Sequence, residues 1–247
     1  MGGYSAKSVW IAAALLAVAT VATGQLAGIH SEIGDAGSFR ISAQIATGGG
    51  GISGNLSGPQ PGPGGGDFED CYIINIIDPA IFQAESDGEF DTQLWLFGLS
   101  RENDEDAFGL LANDEIPDGP PGPSFMPNQS NDGTNIEITE PGCYMLCISA
   151  FDNDPTSLGN EIFFQEFREE VSGNDGAGGG TAHDDWSQDV GQGDYLILLQ
   201  GTADARGVCE PLRVPATSRA GLGAMLVLLS LAGSVLVWRR SRARSSA

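Results

Sequence analysis

Basic side chains are almost missing from this sequence. The chain has 247 residues and a single lysine, Lys7; Lys and Arg together number 11 against 33 Asp and Glu, for a net charge of −22. The shortage is uneven. Every acid lies between Glu32 and Glu210, where only Arg40, Arg101, Arg168 and Arg206 oppose them. A surface of this sign repels phosphate, which excludes nucleic acid as a partner and disfavours docking on anionic lipid. Histidine is scarce too, with only His30 and His183. Neither stands in a Gly-x-Ser-x-Gly motif or a sharp strand-to-helix turn, so spacing singles out no Ser-His-Asp triad. His183 precedes Asp184 and Asp185 in a Gly-rich segment and reads as an exposed loop histidine. The Gly-rich stretches 48–51, 62–66 and 176–180 lack a following Lys-Ser/Thr and read as flexible loops or linkers, not phosphate cradles. No Cys-x-x-Cys pair is present, which disfavours zinc.

Both ends of the chain are apolar. Lys7, the apolar run 9–21 and the small residues of Ala22-Thr23-Gly24 form a secretory signal pattern, with cleavage expected before Gln25. Residues 220–238 are free of charge, and at 1.5 Å per residue such a helix just spans about 30 Å of hydrocarbon. Arg239, Arg240, Arg242 and Arg244 follow it, so the positive-inside rule keeps the tail 239–247 cytoplasmic and the acidic part outside.

Between these ends the apolar runs are short: 52–56, 71–77, 81–84, 92–97, 110–112, 135–138, 143–150 and 195–200. Turn signals such as Asp78-Pro79, Asp132-Gly133 and Pro141-Gly142 separate them. Many short strands at this spacing predict an all-β fold, a sandwich or barrel. Leu94 and Leu96 alternate onto one face of their strand. Segment 161–171 reads either as a helix or as a strand followed by an acidic loop.

Cys71, Cys143, Cys147 and Cys209 lie in a chain that reads as exported, where disulfides are permitted. If 143–149 is one strand, Cys143 and Cys147 stand about 13 Å apart. A bridge needs Cα atoms within about 7 Å, so these two do not pair. Three alternatives remain: 71–143 with 147–209, 71–147 with 143–209, or free buried thiols. The acids Asp67, Glu69, Asp91 and Asp114 sit among Asp, Asn and Gly in loops, where hard oxygen ligands for Ca²⁺ gather. None matches an EF-hand frame, and the competing reading is a solvated acidic surface.

Two resemblances extend this reading. Val214-Pro215-Ala216-Thr217-Ser218, an apolar run and terminal arginines resemble the sorting tails of bacterial envelope proteins of the PEP-CTERM and IPTL-CTERM type. That resemblance implies a membrane protease that removes the tail on export, with Val214 and Pro215 in the sorting motif. The stretches Glu32-Ile33-Gly34-Asp35, Gly66-Asp67-Phe68-Glu69-Asp70-Cys71-Tyr72, Phe90-Asp91-Thr92-Gln93-Leu94-Trp95, Asn113-Asp114, Gly142-Cys143-Tyr144-Met145-Leu146 and Gly193-Asp194-Tyr195-Leu196-Ile197 occur in an order that resembles the bacterial pre-peptidase C-terminal domain. This second resemblance implies one jelly-roll-like antiparallel β-sandwich with no catalytic centre, flanked by a signal helix and a transmembrane helix. It also makes Asp67, Glu69, Asp91 and Asp114 the acids flanking the family's first strands.

The organisation expected is therefore a signal peptide at 1–24, a sandwich domain at 25–205, a linker with the sorting motif at 206–219, a membrane helix at 220–238 and a basic tail at 239–247. The function expected is that of a non-catalytic surface or matrix protein whose sandwich binds or spaces extracellular polymer, with extracellular polysaccharide among its partners and calcium as the ion its acids would suit. Its other expected partners are the export machinery, a sorting protease and the membrane. The competing class is a secreted hydrolase, which a pocket gathering His183 with buried carboxylates would favour.

Overall fold

The computed structural model describes residues 28–59, 66–116 and 122–210. The signal segment, the sorting motif at Val214 and Pro215, the apolar run 220–238 and the arginine tail lie outside the described residues. Among the described residues no helix is long and apolar enough to cross a membrane.

The described chain is all-β. Its strands are β1 (Ile29–Ser31), β2 (Gln44–Ile45), β3 (Gly51–Leu56), β4 (Gly58–Pro59), β5 (Gly66–Asp67), β6 (Glu69–Ile76), β7 (Gln83–Gly88), β8 (Thr92–Leu99), β9 (Ala107–Asn113), β10 (Phe125–Pro127), β11 (Gly142–Ala150), β12 (Pro155–Ser157), β13 (Asn160–Glu161), β14 (Val171–Gly173), β15 (Asp185–Trp186), β16 (Gly193–Gln200) and β17 (Thr202–Ala203). Beside the small sheets β13-β12-β15 and β4-β5 there are two large ones: one has the order β1-β3-β16-β7-β10, and the other runs β14-β9-β8-β11-β6 with β17 and β2 sharing the outer edge of β6. Both are mainly antiparallel. The expectation of a purely antiparallel sandwich fails at two short strands: β1 runs parallel to β3, and β2 parallel to β6. Both belong to the incoming chain, which joins existing edges without a tight hairpin.

The two sheets face each other across one apolar core. Ile52, Leu56, Ala84, Tyr195, Ile197 and Leu199 come from the first sheet, and Tyr72, Ile74, Ile76, Leu94, Leu96, Leu146 and Ile148 from the second. In β16 the buried residues alternate with partly exposed or exposed ones, the pattern of a sheet with one wet face. In β6, β8 and β11 both faces are buried. Cys71, Ile73, Trp95, Phe97, Met145 and Cys147 point away from the inter-sheet core into a second cluster. Its cover is the excursion between β11 and β16, which brings in Ile162, Phe163, His183 and Trp186.

That excursion explains two departures from the sequence reading, and the segment before β11 supplies a third. Segment 161–171 is neither helix nor long strand: β13 ends at Glu161 and turns run to β14. Within residues 176–180 three glycines are closely packed, while Ala177 and Gly180 face solvent. A Cβ at Gly176, Gly178 or Gly179 would strike the backbone of Asn160, Glu161, Ile162 or Asn174, so only glycine lets the two chain segments meet. The run 135–138 forms no strand, only an isolated bridge between Gln129 and Glu137. Its Ile138 nevertheless fills the inter-sheet core, which is why the segment is apolar.

Trp95 anchors the second cluster. It is 1% exposed, and its indole N–H donates to Ser149 Oγ at 2.8 Å. Ser149 Oγ donates in turn to the Asn153 carbonyl at 2.8 Å.

The cysteines resolve into two bridges, Cys71–Cys147 and Cys143–Cys209. Cys71 and Cys147 are directly opposed in the β6–β11 ladder, and Cys143 lies two pleat repeats further along the same face. The second bridge ties residues 206–209, expected to belong to a linker, onto the sandwich. Disulfides persist in oxidising compartments, and this pair points to one.

A non-reducing peptide map should contain these two bridges and no cross-link within residues 142–148. Replacing Cys143 and Cys209 together by serine should lower the unfolding free energy by about 2–4 kcal/mol, because the loop they close is long. Denaturant titration checks the size, and an unchanged midpoint would mean that the closure contributes nothing.

Candidate functional site

The four acids singled out from the sequence do not meet at one place. Asp67 lies in β5 and joins Asp35 and Asp70; one carboxylate oxygen of each falls within 4.8 Å of the others. Glu69, next to Asp70 in β6, points to the opposite face and accepts from Asn153 Nδ2 at 3.1 Å. Asp91 and Asp114 lie together elsewhere, around Arg168. Period-two alternation separates Glu69 from Asp70, the break at Phe68 between β5 and β6 separates it from Asp67, and the β8–β9 pairing brings Asp91 near Asp114.

The first group is deeply set. Asp70 is fully buried and accepts from the Tyr195 hydroxyl at 2.6 Å and from Ala36 N–H at 3.3 Å. Tyr195 and Tyr72 share a hydrogen bond of 2.5 Å, so one polar chain crosses the inter-sheet core. Burial pushes the Asp70 carboxyl up to about 8, against the stabilising bond from Tyr195. Burial also raises Asp67 and Glu32. Asp67 is 8% exposed; its Oδ2 accepts from Ser57 N–H at 2.8 Å, while its buried Oδ1 has no partner.

From the second group, Asp114 and Arg168 line a cleft of about 340 Å³, and Asp91 does not. Gln93 of β8 forms part of its floor. The loop after β11 supplies Phe151, Asp152 and Asp154, and the covering excursion supplies Phe163, Phe164, Gln165, Glu166, Phe167 and Arg168. Phe163 turns inward against Trp95 and Phe97, with ring centroids 5.6 and 6.1 Å away. Phe164 and Phe167 stay 57% and 52% exposed on the rim.

Arg168 holds the end of the cleft. Its guanidinium lies 3.1 Å from Asp91, 3.0 Å from Glu115 and 3.6 Å from Asp114, and 5.3 Å over the Phe151 ring. Three carboxylates thus share one cation. Burial and the neighbouring Asp91 raise the Asp114 carboxyl to about 7, while Arg168 pulls it down. Burial, then Glu161 and Asp152, raises Asp154 to about 6, opposed by a hydrogen bond from Gln93. Gln93 Nε2 donates to Gln165 Oε1 at 3.4 Å. Gln93 Oε1, Gln165 Nε2 and Asp114 Oδ1 are buried without a partner, and all three residues line the cleft. Unmade hydrogen bonds of this kind cost about 1–3 kcal/mol each. They are groups a ligand can satisfy.

Gln93, Gln165 and the phenylalanines were not candidates from the sequence. The signal that could have found them is Phe163-Phe164-Gln165-Glu166-Phe167, three rings within an otherwise acidic stretch. His183 corrects the sequence reading in the other direction. It is 7% exposed, stacked on Phe97 at 5.1 Å with Phe39 and Trp186 at 5.2 and 5.0 Å, and is not among the residues lining the cleft. The ring completes the cover of the second sheet, and burial lowers its pKa to about 4.

No family model matches the chain, and no curated protein matches it.

The His183 environment makes a pH prediction. Above about pH 6.5 the imidazole is neutral both folded and unfolded. As pH falls from 6.5 towards 4, the unfolded chain takes the proton first, and stability drops by about 3 kcal/mol from this group. Thermal melts of the parent and of His183→Gln, with His183→Phe as a second ring-filling variant, should differ by a constant amount above pH 7. The difference should shrink between pH 6.5 and 4. A parallel pair of curves throughout would show that the ring titrates as it does in water.

Proposed function

We propose that this is an exported, non-catalytic surface or matrix protein whose β-sandwich binds extracellular polymer in the Arg168 cleft. The observation that carries the reading is the cleft itself. Exposed phenyl rings stand beside buried amide and carboxyl groups that lack partners, the pairing of apolar stacking surface with hydrogen-bonding groups that small-molecule and glycan sites use. The reading includes a jelly-roll-like connectivity, a cleaved signal at residues 1–24 and a membrane helix at 220–238. It also includes a sorting motif at Val214 and Pro215 that a membrane protease processes. The two disulfides support export, and the sequence of both ends supports the sorting route. Calcium, on this reading, stabilises the fold through Asp35, Asp67 and Asp70. The unpartnered Oδ1 of Asp67 supports that assignment, and Glu69 takes no part in it.

The full chain, purified in detergent, should be retained on at least one insoluble polysaccharide of a panel. Phe164→Ala/Phe167→Ala should weaken retention about tenfold without lowering the melting temperature, since both rings are exposed. Retention unchanged in the double variant would move the site away from the cleft. Calcium at millimolar concentration should raise the melting temperature above that in magnesium at matched ionic strength; equal values would reduce the acids to a solvated surface. Release of soluble reducing ends from the bound polymer would favour the competing class, a hydrolase using Asp114 and Asp154.

Deleting residues 220–247 should shift the protein from the envelope to the medium. The exported form should begin at Gln25. A truncated chain that stays bound to the envelope would show that the tail is not the anchor.

A further inference from the structure

The charge around the cleft narrows what it takes. Asp114, Asp152, Asp154, Glu161 and Glu166 line it against the single cation Arg168. That cation is already committed to Asp91, Glu115 and Asp114. A uronate or sulphated sugar would meet more carboxylates than the one committed cation offsets. The groups left without partners include two deep acceptors, Gln93 Oε1 and Asp114 Oδ1, on residues each 3% exposed. They call for a ligand that brings donors. The exposed faces of Phe164 and Phe167 call for flat C–H surface or for a cation held over a ring. A pyranose that carries an ammonium group offers all three: an apolar face, hydroxyl and N–H donors, and positive charge.

We infer that the cleft selects a cationic aminopolysaccharide, a glucosamine polymer bearing free amino groups. This rests on the reading of the cleft as a polymer site and adds its substrate class. A lysine-rich peptide would satisfy the charge, but it has no rigid apolar face to lie on the rim phenylalanines. Nor does it bring a row of hydroxyls to the Gln93–Gln165 pair.

The test is calorimetric binding of the full chain in detergent to four hexamers: de-N-acetylated glucosamine, fully N-acetylated glucosamine, β-linked glucose and a uronate. Hexalysine is the fifth probe. The de-N-acetylated hexamer should bind at least tenfold tighter than the N-acetylated one, and the uronate should not bind. Its affinity should fall as salt rises from 50 to 500 mM. Glu161→Gln/Glu166→Gln, two exposed positions on the rim, should cut the preference for the free amine at least threefold and leave the melting temperature unchanged. Binding of the acetylated or glucose hexamer as tightly as the free amine would overturn the inference and leave the polymer site standing. Failure of every hexamer, together with loss of retention on polysaccharide, would remove the polymer site itself. If hexalysine binds as well as the aminoglycan, or if the double variant binds like the parent, the attraction is diffuse surface charge and the inference fails.

Discussion

The β6–β11 pairing is the constraint from which the rest of the structure follows. Eight successive residue pairs join these strands, from Gly142 opposite Ile76 to Ser149 opposite Glu69, and β8 extends the ladder on the other side of β11. Large side chains leave both faces of this sheet. A sheet with two apolar faces needs two covers, because each exposed Trp or Phe would forgo about 1.5–3 kcal/mol of burial. The first sheet covers one face. The long excursion between β11 and β16 covers the other, and Gly109 is where it touches down: a side chain there would collide with Ile162 and Phe163. The disulfides reinforce this same pair of strands. Cys71–Cys147 crosses it, and Cys143–Cys209 draws the later chain onto its outer face.

A chain this acidic has little cation to distribute, and the structure concentrates what it has. Arg40 is largely buried; one of its nitrogens donates to the carbonyls of Ser100, Asn103 and Asp106, closing the loop between β8 and β9. Arg168 gathers three carboxylates where β9 runs out. Elsewhere the fold deals with buried acid by neutralising it. Asp70 sits in a chain of two phenols with no cation among its hydrogen-bond partners, and with no metal ion beside it a carboxyl whose pKa is pushed up to about 8 holds its proton at neutral pH. The polar chain also joins the sheets, since Tyr72 belongs to β6 and Tyr195 to β16.

What could be read from the sequence is divided by the same geometry. The strands with two buried faces, 71–77, 92–97 and 143–150, appear as continuous apolar runs and were placed within a few residues. Short range order also excluded a Cys143–Cys147 bridge, because four residues of extended chain hold the two apart. What could not be read is the cover. Its residues are glycines that pack by having no side chain, a histidine that looks polar but fills an aromatic cage, and turns whose composition matches a solvated loop. None of these carries a period. The candidate site was half legible for a related reason. Asp91 and Asp114 stood out as acids, but their partner Arg168 comes from the cover, and so do Gln165 and the rim phenylalanines. Only a prediction of where the excursion lands would have brought them together.

The cover also separates what the fold needs from what it does not. Ile162 and Phe163 bury themselves against Trp95 and Phe97, and the second cluster would be open without them. Phe164 and Phe167 make no such contribution: both remain more than half exposed in a segment otherwise rich in acids. Scattered exposed apolar residues are ordinary on a protein surface. Two exposed phenyl rings on one cleft, beside amides and a carboxyl desolvated without being paired, are not accounted for by these packing contacts. Each of those features costs stability or solubility, and on the proposed reading each is relieved by one event, the arrival of a ligand with an apolar face and hydrogen-bond donors. The structural duty of the excursion therefore rests on Ile162, Phe163, the close-packed Gly176, Gly178 and Gly179, His183 and Trp186, and leaves Phe164 and Phe167 free for the binding proposed above.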